Sequence, residues 1–158
     1  MTTLNGLFHE DQELNAVGSR GTWHRIEAVV DSGAAESVAP PSMAPWVQTK
    51  ESAGSKRGQV YLSASGNKLP NIGEKKMDVL TEEGMPAKAT YQIANVTRAL
   101  CAVSRMCDQG NTVIFEKQGG YIVDEYGTTT TFRRENNVYL LDTYALEPDS
   151  SPGFRSPS

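Results

Sequence analysis

Short runs in which apolar and polar residues alternate dominate the middle of the chain. In "TWHRIEAVV" Ile26, Ala28 and Val30 share a face, in "QVYLSA" Val60, Leu62 and Ala64 do, and in "KATYQIANV" Ala89, Tyr91 and Ile93 do. A period of two sends successive side chains to opposite faces, so each run predicts a half-buried strand. Further along, "NTVIFEK", "GYIVDE", "TTTTFRR" and "NVYLLDTY" are separated by "QGG", "EYG" and "ENN". Those separators supply the Gly and Asn that hairpin turns select, so the four runs predict an antiparallel meander. One stretch breaks the rhythm. In "TRALCAVSRMCDQG" Leu100, Val103 and Cys107 fall at near-helical spacing and Gly110 offers a stop, which predicts a short helix. The pattern as a whole predicts an all-β domain with one short helix and no internal repeat.

Organisation follows from where this rhythm starts and ends. Residues 1–20 are polar and punctuated by Gly18, and are expected to form a flexible N-terminal arm. Residues 21–146 carry the strands and form the expected domain. Residues 147–158, within the Pro- and Ser-rich "LEPDSSPGFRSPS", are expected to be a disordered tail. At 158 residues the chain is about one domain and long enough to bury a core.

Charge and composition narrow the partners. A net charge of -4 gives no basic stripe, so no nucleic acid is expected to bind this chain. No apolar run approaches the ~20 residues of a spanning helix, and "MTTLNGLFHEDQELN" lacks a secretory pattern, so a soluble, cytoplasmic protein without membrane contact is expected. Cys101 and Cys107 are too few for a disulfide framework and are read as reduced thiols. His9 and His24 stand far apart, so no metal site and no cofactor are expected.

Chemistry concentrates in "HRIEAVVDSGAAESVAP". An alternating strand ends on Asp31, and Ser32, Gly33, Ala34 and Ala35 then remove nearly all side-chain bulk. Asp-Ser-Gly alone is what any turn selects. With a strand before it and a second apolar start in "ESVAP" after it, the small residues instead let two backbones approach and present the Asp31 carboxylate.

These residues resemble the active-site motif of the retroviral-type aspartic proteases, the retropepsins, in which an apolar strand leads into Asp-(Ser/Thr)-Gly-Ala. The likeness continues in order. "VYLSASGNKLPNIGEKKMDV" is similar to that family's flap hairpin, "NVTRALCAVSRMCDQGNTVIFEKQGGYIV" is similar to the segment after the flap in Copia-like retrotransposon proteases, and "ENNVYLLDTYAL" looks like the start of the module that follows them. The resemblance covers roughly Trp23 to Leu146. It departs at Ala102, which stands where the family usually has Gly before its helix.

The resemblance implies a retropepsin-like closed β-barrel with a flap hairpin, active as a two-fold homodimer. It implies an aspartic endopeptidase that processes a retroelement polyprotein, in the cytoplasm or within a virus-like particle, on a peptide bound in extended form. Hydrolysis by carboxylates needs one group to accept a proton and another to give one, so two carboxyls must meet. The chain holds one Asp-Ser-Gly; Asp108 and Asp124 lack its context and read as turn residues. Asp31 and its symmetry mate would therefore form the dyad. By the same resemblance Ser32 steadies the carboxylate, Gly33 provides the close backbone approach and Ala34 supports the loop, with Ala34 and Ala35 at the cleft floor. Ser63, Ala64, Ser65, Gly66 and Asn67 would form the substrate-binding flap tip. Trp46 reads as a core or cleft-wall anchor. A rival reading is a catalytically silent retropepsin-like dimer that binds peptides or supports particle assembly; a third is a small β-barrel binding domain in which the motif is coincidence.

Overall fold

The computed structural model describes residues 20–149. Apart from Arg20, the expected arm lies outside the described residues, as does the expected tail beyond Asp149. Most of the described chain is strand. In order come β1 (Gly21–Asp31), β2 (Val38–Ala39), α1 (Ala53–Lys56), β3 (Val60–Leu62), β4 (Lys68–Pro70), β5 (Gly73–Thr81), β6 (Pro86–Ile93), β7 (Ala99–Ala102), α2 (Val103–Asp108), β8 (Thr112–Phe115), β9 (Gly119–Val123), β10 (Thr129–Glu135) and β11 (Val138–Pro148). Nine strands form one sheet in the order β1-β7-β2-β6-β5-β11-β10-β9-β8, and β3 and β4 pair separately as a hairpin.

β1 organises this sheet. Its alternation buries Ile26, Ala28 and Val30, as the sequence pattern predicts. One edge runs antiparallel to β11, from Gly21 opposite Pro148 to Val29 opposite Leu140. The other runs parallel to β7, with Ala28 opposite Ala99 and Asp31 opposite Ala102. The stretch likened to the start of a following module is thus β11, which also pairs with β5 and β10. Glu147 and Pro148, placed in the tail by composition, belong to this strand instead. Gly21 lets β11 continue so far, because a Cβ there would lie 2.0 Å from the Glu147 carbonyl oxygen.

The helix predicted across "TRALCAVSRMCDQG" begins later than its periodicity suggests. Ala99–Ala102 is strand, held between β1 and β2, where Val38 faces Leu100. Ladder pairing on both sides outweighs a weak helical period in so short a run. Only Val103–Asp108 is helical, and Gly110 follows at φ +93, with its amide donating to the Cys107 carbonyl. A second helical turn, α1, was not predicted. Ser52 and Ser55 cap it reciprocally, the Ser55 amide donating to Ser52 Oγ at 3.0 Å and the Ser52 amide to Ser55 Oγ at 2.8 Å.

The predicted meander is β8 to β11. Its last turn is Asn136-Asn137, at φ +50 and +65, between paired Glu135 and Val138; a two-residue hairpin loop of this handedness favours Asn. Gly120 lies against the Phe132 ring, where a Cβ would come within 2.5 Å. The core joins Ala28, Val30, Ala39, Tyr91, Ile93, Cys101, Ile122, Phe132 and Leu141. A second cluster of Ile26, Val79 and Ala145 is flanked by half-buried Trp46, whose ring lies 4.6 Å from that of His24. Lys75 is buried and its Nζ donates to the carbonyls of Pro41, Met43 and Ala44 at 3.1, 2.7 and 3.0 Å. This single ammonium secures the loop that follows β2.

Candidate functional site

Asp31 is the last residue of β1 and pairs with Ala102 of β7, while β11 holds the other edge of the strand as far as Val29. The chain turns directly afterwards, and the Gly33 amide donates to Asp31 Oδ1 at 2.8 Å. Ser32 and Gly33 are exposed, Asp31 and Ala34 half-buried, and Ala35 exposed. A carboxylate thus sits at a strand end with one oxygen held by a backbone amide and the turn open to solvent. The Ser32 hydroxyl makes no hydrogen bond among the described residues, so there the Gly33 amide is what holds the carboxylate.

The loop from Asp31 to Ser37 is tied to the start of α2. Ala102, opposite Asp31, is fully buried, and its amide donates to Ser37 Oγ at 2.9 Å. Ser104 Oγ donates to the Ala34 carbonyl at 3.4 Å. Ala102, at the position where the resembled family usually has Gly, is accommodated here as a fully buried residue. Asp108 and Asp124, the two read from the sequence as turn residues, serve locally. Asp124 Oδ1 accepts from the amides of Tyr126 and Thr128, both at 2.9 Å, which makes it a turn residue, and Asp108 ends α2 in a 3.8 Å ion pair with Arg105.

The predicted flap residues form the tip of the β3–β4 hairpin. The Ser63 amide donates to the Asn67 carbonyl and the Gly66 amide to the Ser63 carbonyl, each at 2.9 Å, while Gly66 takes φ +89. Ser63 Oγ accepts from the Asn67 amide at 3.1 Å and lies 3.0 Å from Ser65 Oγ; Ala64, Ser65, Gly66 and Asn67 are exposed. Along the hairpin Val60 and Leu62 point to solvent, whereas Tyr61 and its partner Leu69 turn inward.

A polar cluster at the hairpin root was not foreseen. Tyr61 Oη donates to Glu36 Oε1 at 3.1 Å, and Arg105 Nη2 donates to Glu36 Oε2 at 3.0 Å. Asn71 Nδ2 lies 3.2 Å from Tyr61 Oη, 3.1 Å from Gln59 Oε1 and 2.9 Å from Gln92 Oε1. Burial first, and the Glu36 carboxylate second, push the Tyr61 hydroxyl well above the usual tyrosine range. Glu36 and Tyr61 carry no spacing or motif in the sequence, and only the folded chain brings them together. Nearby, burial raises the Cys101 thiol, and it raises Tyr91, whose Oη lies 3.3 Å from Cys101 Sγ.

A cavity of about 730 Å³ is lined by Glu36 and Ser37 of the loop, by Ala89 and Tyr91 of β6 and by Met106 of α2, and does not reach Asp31. Among the described residues no three His, Cys, Asp or Glu side chains gather as a metal set, and no helix is long and apolar enough to cross a membrane. No protein-family model, curated protein or solved structure matches this chain.

Proposed function

We propose that this chain is one subunit of a retropepsin-like aspartic endopeptidase of a Copia-like retroelement, whose catalytic dyad forms from Asp31 of two copies. The observation that carries the reading is the Asp31 turn: a carboxylate at the end of a doubly paired strand, bonded by the Gly33 amide and left open to solvent. Asp124 is held by the same kind of bond just past the end of β9, so what sets Asp31 apart is the Ser-Gly-Ala-Ala that follows it and the parallel strand β7 beside it. One Asp-Ser-Gly per chain supplies half of what acid–base hydrolysis requires. A two-fold axis beside the turn supplies the rest.

In the dimer one carboxyl is ionised and takes a proton from the attacking water, and the other is protonated and gives its proton to the carbonyl oxygen. Like charges a few Å apart disfavour double ionisation, which keeps the pair in this mixed state. The water oxygen bonds to the peptide carbon; as the tetrahedral adduct collapses the C–N bond breaks, the amine takes the proton that the first carboxylate accepted from water, and the second carboxylate takes one back from an adduct hydroxyl. A closed barrel is supported by the cyclic run of pairings from β1 through β7, β2, β6, β5 and β11 back to β1. The β3–β4 hairpin offers backbone groups to an extended peptide and acts as the lid.

Incubating the chain with a peptide library tests this. Wild type should cleave and Asp31→Asn should not. Equal cleavage by both would remove Asp31 from the chemistry, and cleavage by neither would favour the silent peptide-binding dimer.

A further inference from the structure

The β3–β4 hairpin shares no ladder with the nine-stranded sheet. A lone two-stranded hairpin is marginally stable, so its position depends on what its inward side chains grip. Tyr61 is one of two such residues, and its hydroxyl is held from both sides, accepting from Asn71 and donating to Glu36. Glu36 lies on the loop that begins at Asp31, and its second oxygen is held by Arg105 of α2, the helix that follows the Asp31-paired strand β7. The Glu36 side chain is only 16% exposed, so its bonds are formed away from bulk water, where they gain strength.

We infer that Glu36 and Tyr61 form a latch that couples the hairpin to the Asp31 loop, with Tyr61 and Glu36 as positioning residues for the proposed reaction. With the latch closed, the lid and the carboxylate keep a fixed relation. With it open, the hairpin retains its own turn bonds but loses its tie to the loop. This inference deepens the endopeptidase reading and rests on it for its catalytic consequence, whereas the coupling itself is a property of the fold.

Hydrogen exchange on the full chain tests the coupling without using activity. In Tyr61→Phe the hairpin amides, including that of Asn71 bonded to the Gln59 carbonyl, should exchange roughly tenfold faster, the factor expected for losing a hydrogen bond to a charged group. Amides in β5 and β6 should be unchanged. Glu36→Ala should match Tyr61→Phe, the double variant should be no worse than either, and Glu36→Gln, which retains an acceptor, should restore most of the protection. In peptide assays KM should rise more than kcat falls, because the lid orders substrate before chemistry. Unchanged hairpin exchange in Tyr61→Phe, or acceleration spread equally over β5 and β6, would overturn the latch. Faster exchange confined to the hairpin in a chain that cleaves no peptide would support the latch and sink the endopeptidase reading.

Discussion

Asp31 stands directly opposite Ala102 in a parallel pair, and the methyl group of Ala102 is fully enclosed there. The strand end that carries the carboxylate therefore rests beside a buried floor at Ala102. Enlarging that floor by Ala102→Val should cost about 1–3 kcal/mol, as overpacking does, and should lower cleavage by lifting the turn. Ala102→Gly should cost less, about 0.5–1 kcal/mol, and keep activity. Urea unfolding beside peptide cleavage checks both. A Val variant with wild-type stability and turnover would mean that the floor does not set the turn.

The proposed dyad predicts a definite mixing result. Asp31→Ala removes a charge from the turn without touching the pairing of β1. After subunit exchange, an equal mixture with wild type should hold about one quarter wild-type dimer, half mixed and one quarter mutant. Mixed dimers own one carboxyl, so activity per wild-type chain should drop to about half. Full activity after demonstrated exchange would show that a single Asp31 suffices.

Gly66 holds the hairpin tip at φ +89, and its amide is bonded to the Ser63 carbonyl. Proline fixes φ near -65° and has no N–H, so Gly66→Pro breaks both features. The tip is exposed and lies outside the main sheet, so the thermal midpoint should hardly move while peptide turnover falls. Unaltered turnover in a folded Gly66→Pro chain would remove the hairpin from the mechanism.

Tyr91 predicts how stability responds to alkali. Burial raises its hydroxyl well above the ordinary value of 10.0, with the neighbouring Cys101 adding to the shift. The folded chain then keeps a proton that the unfolded chain releases, so this contribution is complete below about pH 10 and is lost as pH climbs toward the folded value. The urea midpoint of wild type should fall between pH 9 and pH 11, and that of Tyr91→Phe should fall less. Parallel declines would show that Tyr91 titrates alike in both states.

Lys75 gathers three carbonyls from the loop after β2. Lys75→Met keeps length and apolar bulk but leaves those acceptors without their ammonium. Hydrogen bonds to a charged donor contribute about 1.5–3 kcal/mol each, offset here by the burial that lowers the Lys75 pKa, so a net loss of about 2–3 kcal/mol is expected. Denaturant titration reads this directly; a neutral or stabilising substitution would mean that desolvation of the ammonium outweighs its bonds.

What the sequence made legible was local. Alternation revealed β1 because Ile26, Ala28 and Val30 face one core, and Asn136-Asn137 marked the β10–β11 turn because few residues tolerate positive φ. The "SASGN" tip was readable for the same reason at Gly66. Leu100 misled, since its helical spacing to Val103 says nothing of the strands that flank Ala99–Ala102. The grip of Glu36 on Tyr61 and Arg105 was invisible, because 25 and 69 positions separate the partners and no period links them. Periodicity marked the strand at Val60–Leu62 but not its buried face, since Val60, Leu62 and Ala64, expected to share that face, are exposed and Tyr61 turns inward.

The pairing of β1 with β11 also has a temporal side. His24 and Glu147, bonded at 2.7 Å across these strands, lie 123 positions apart. At roughly 5–20 residues per second, a ribosome needs on the order of ten seconds between making one and making the other. Throughout that interval the strand that carries Asp31 lacks its longest neighbour. The pairing of β1 with β11 is withheld until β11 has been synthesised.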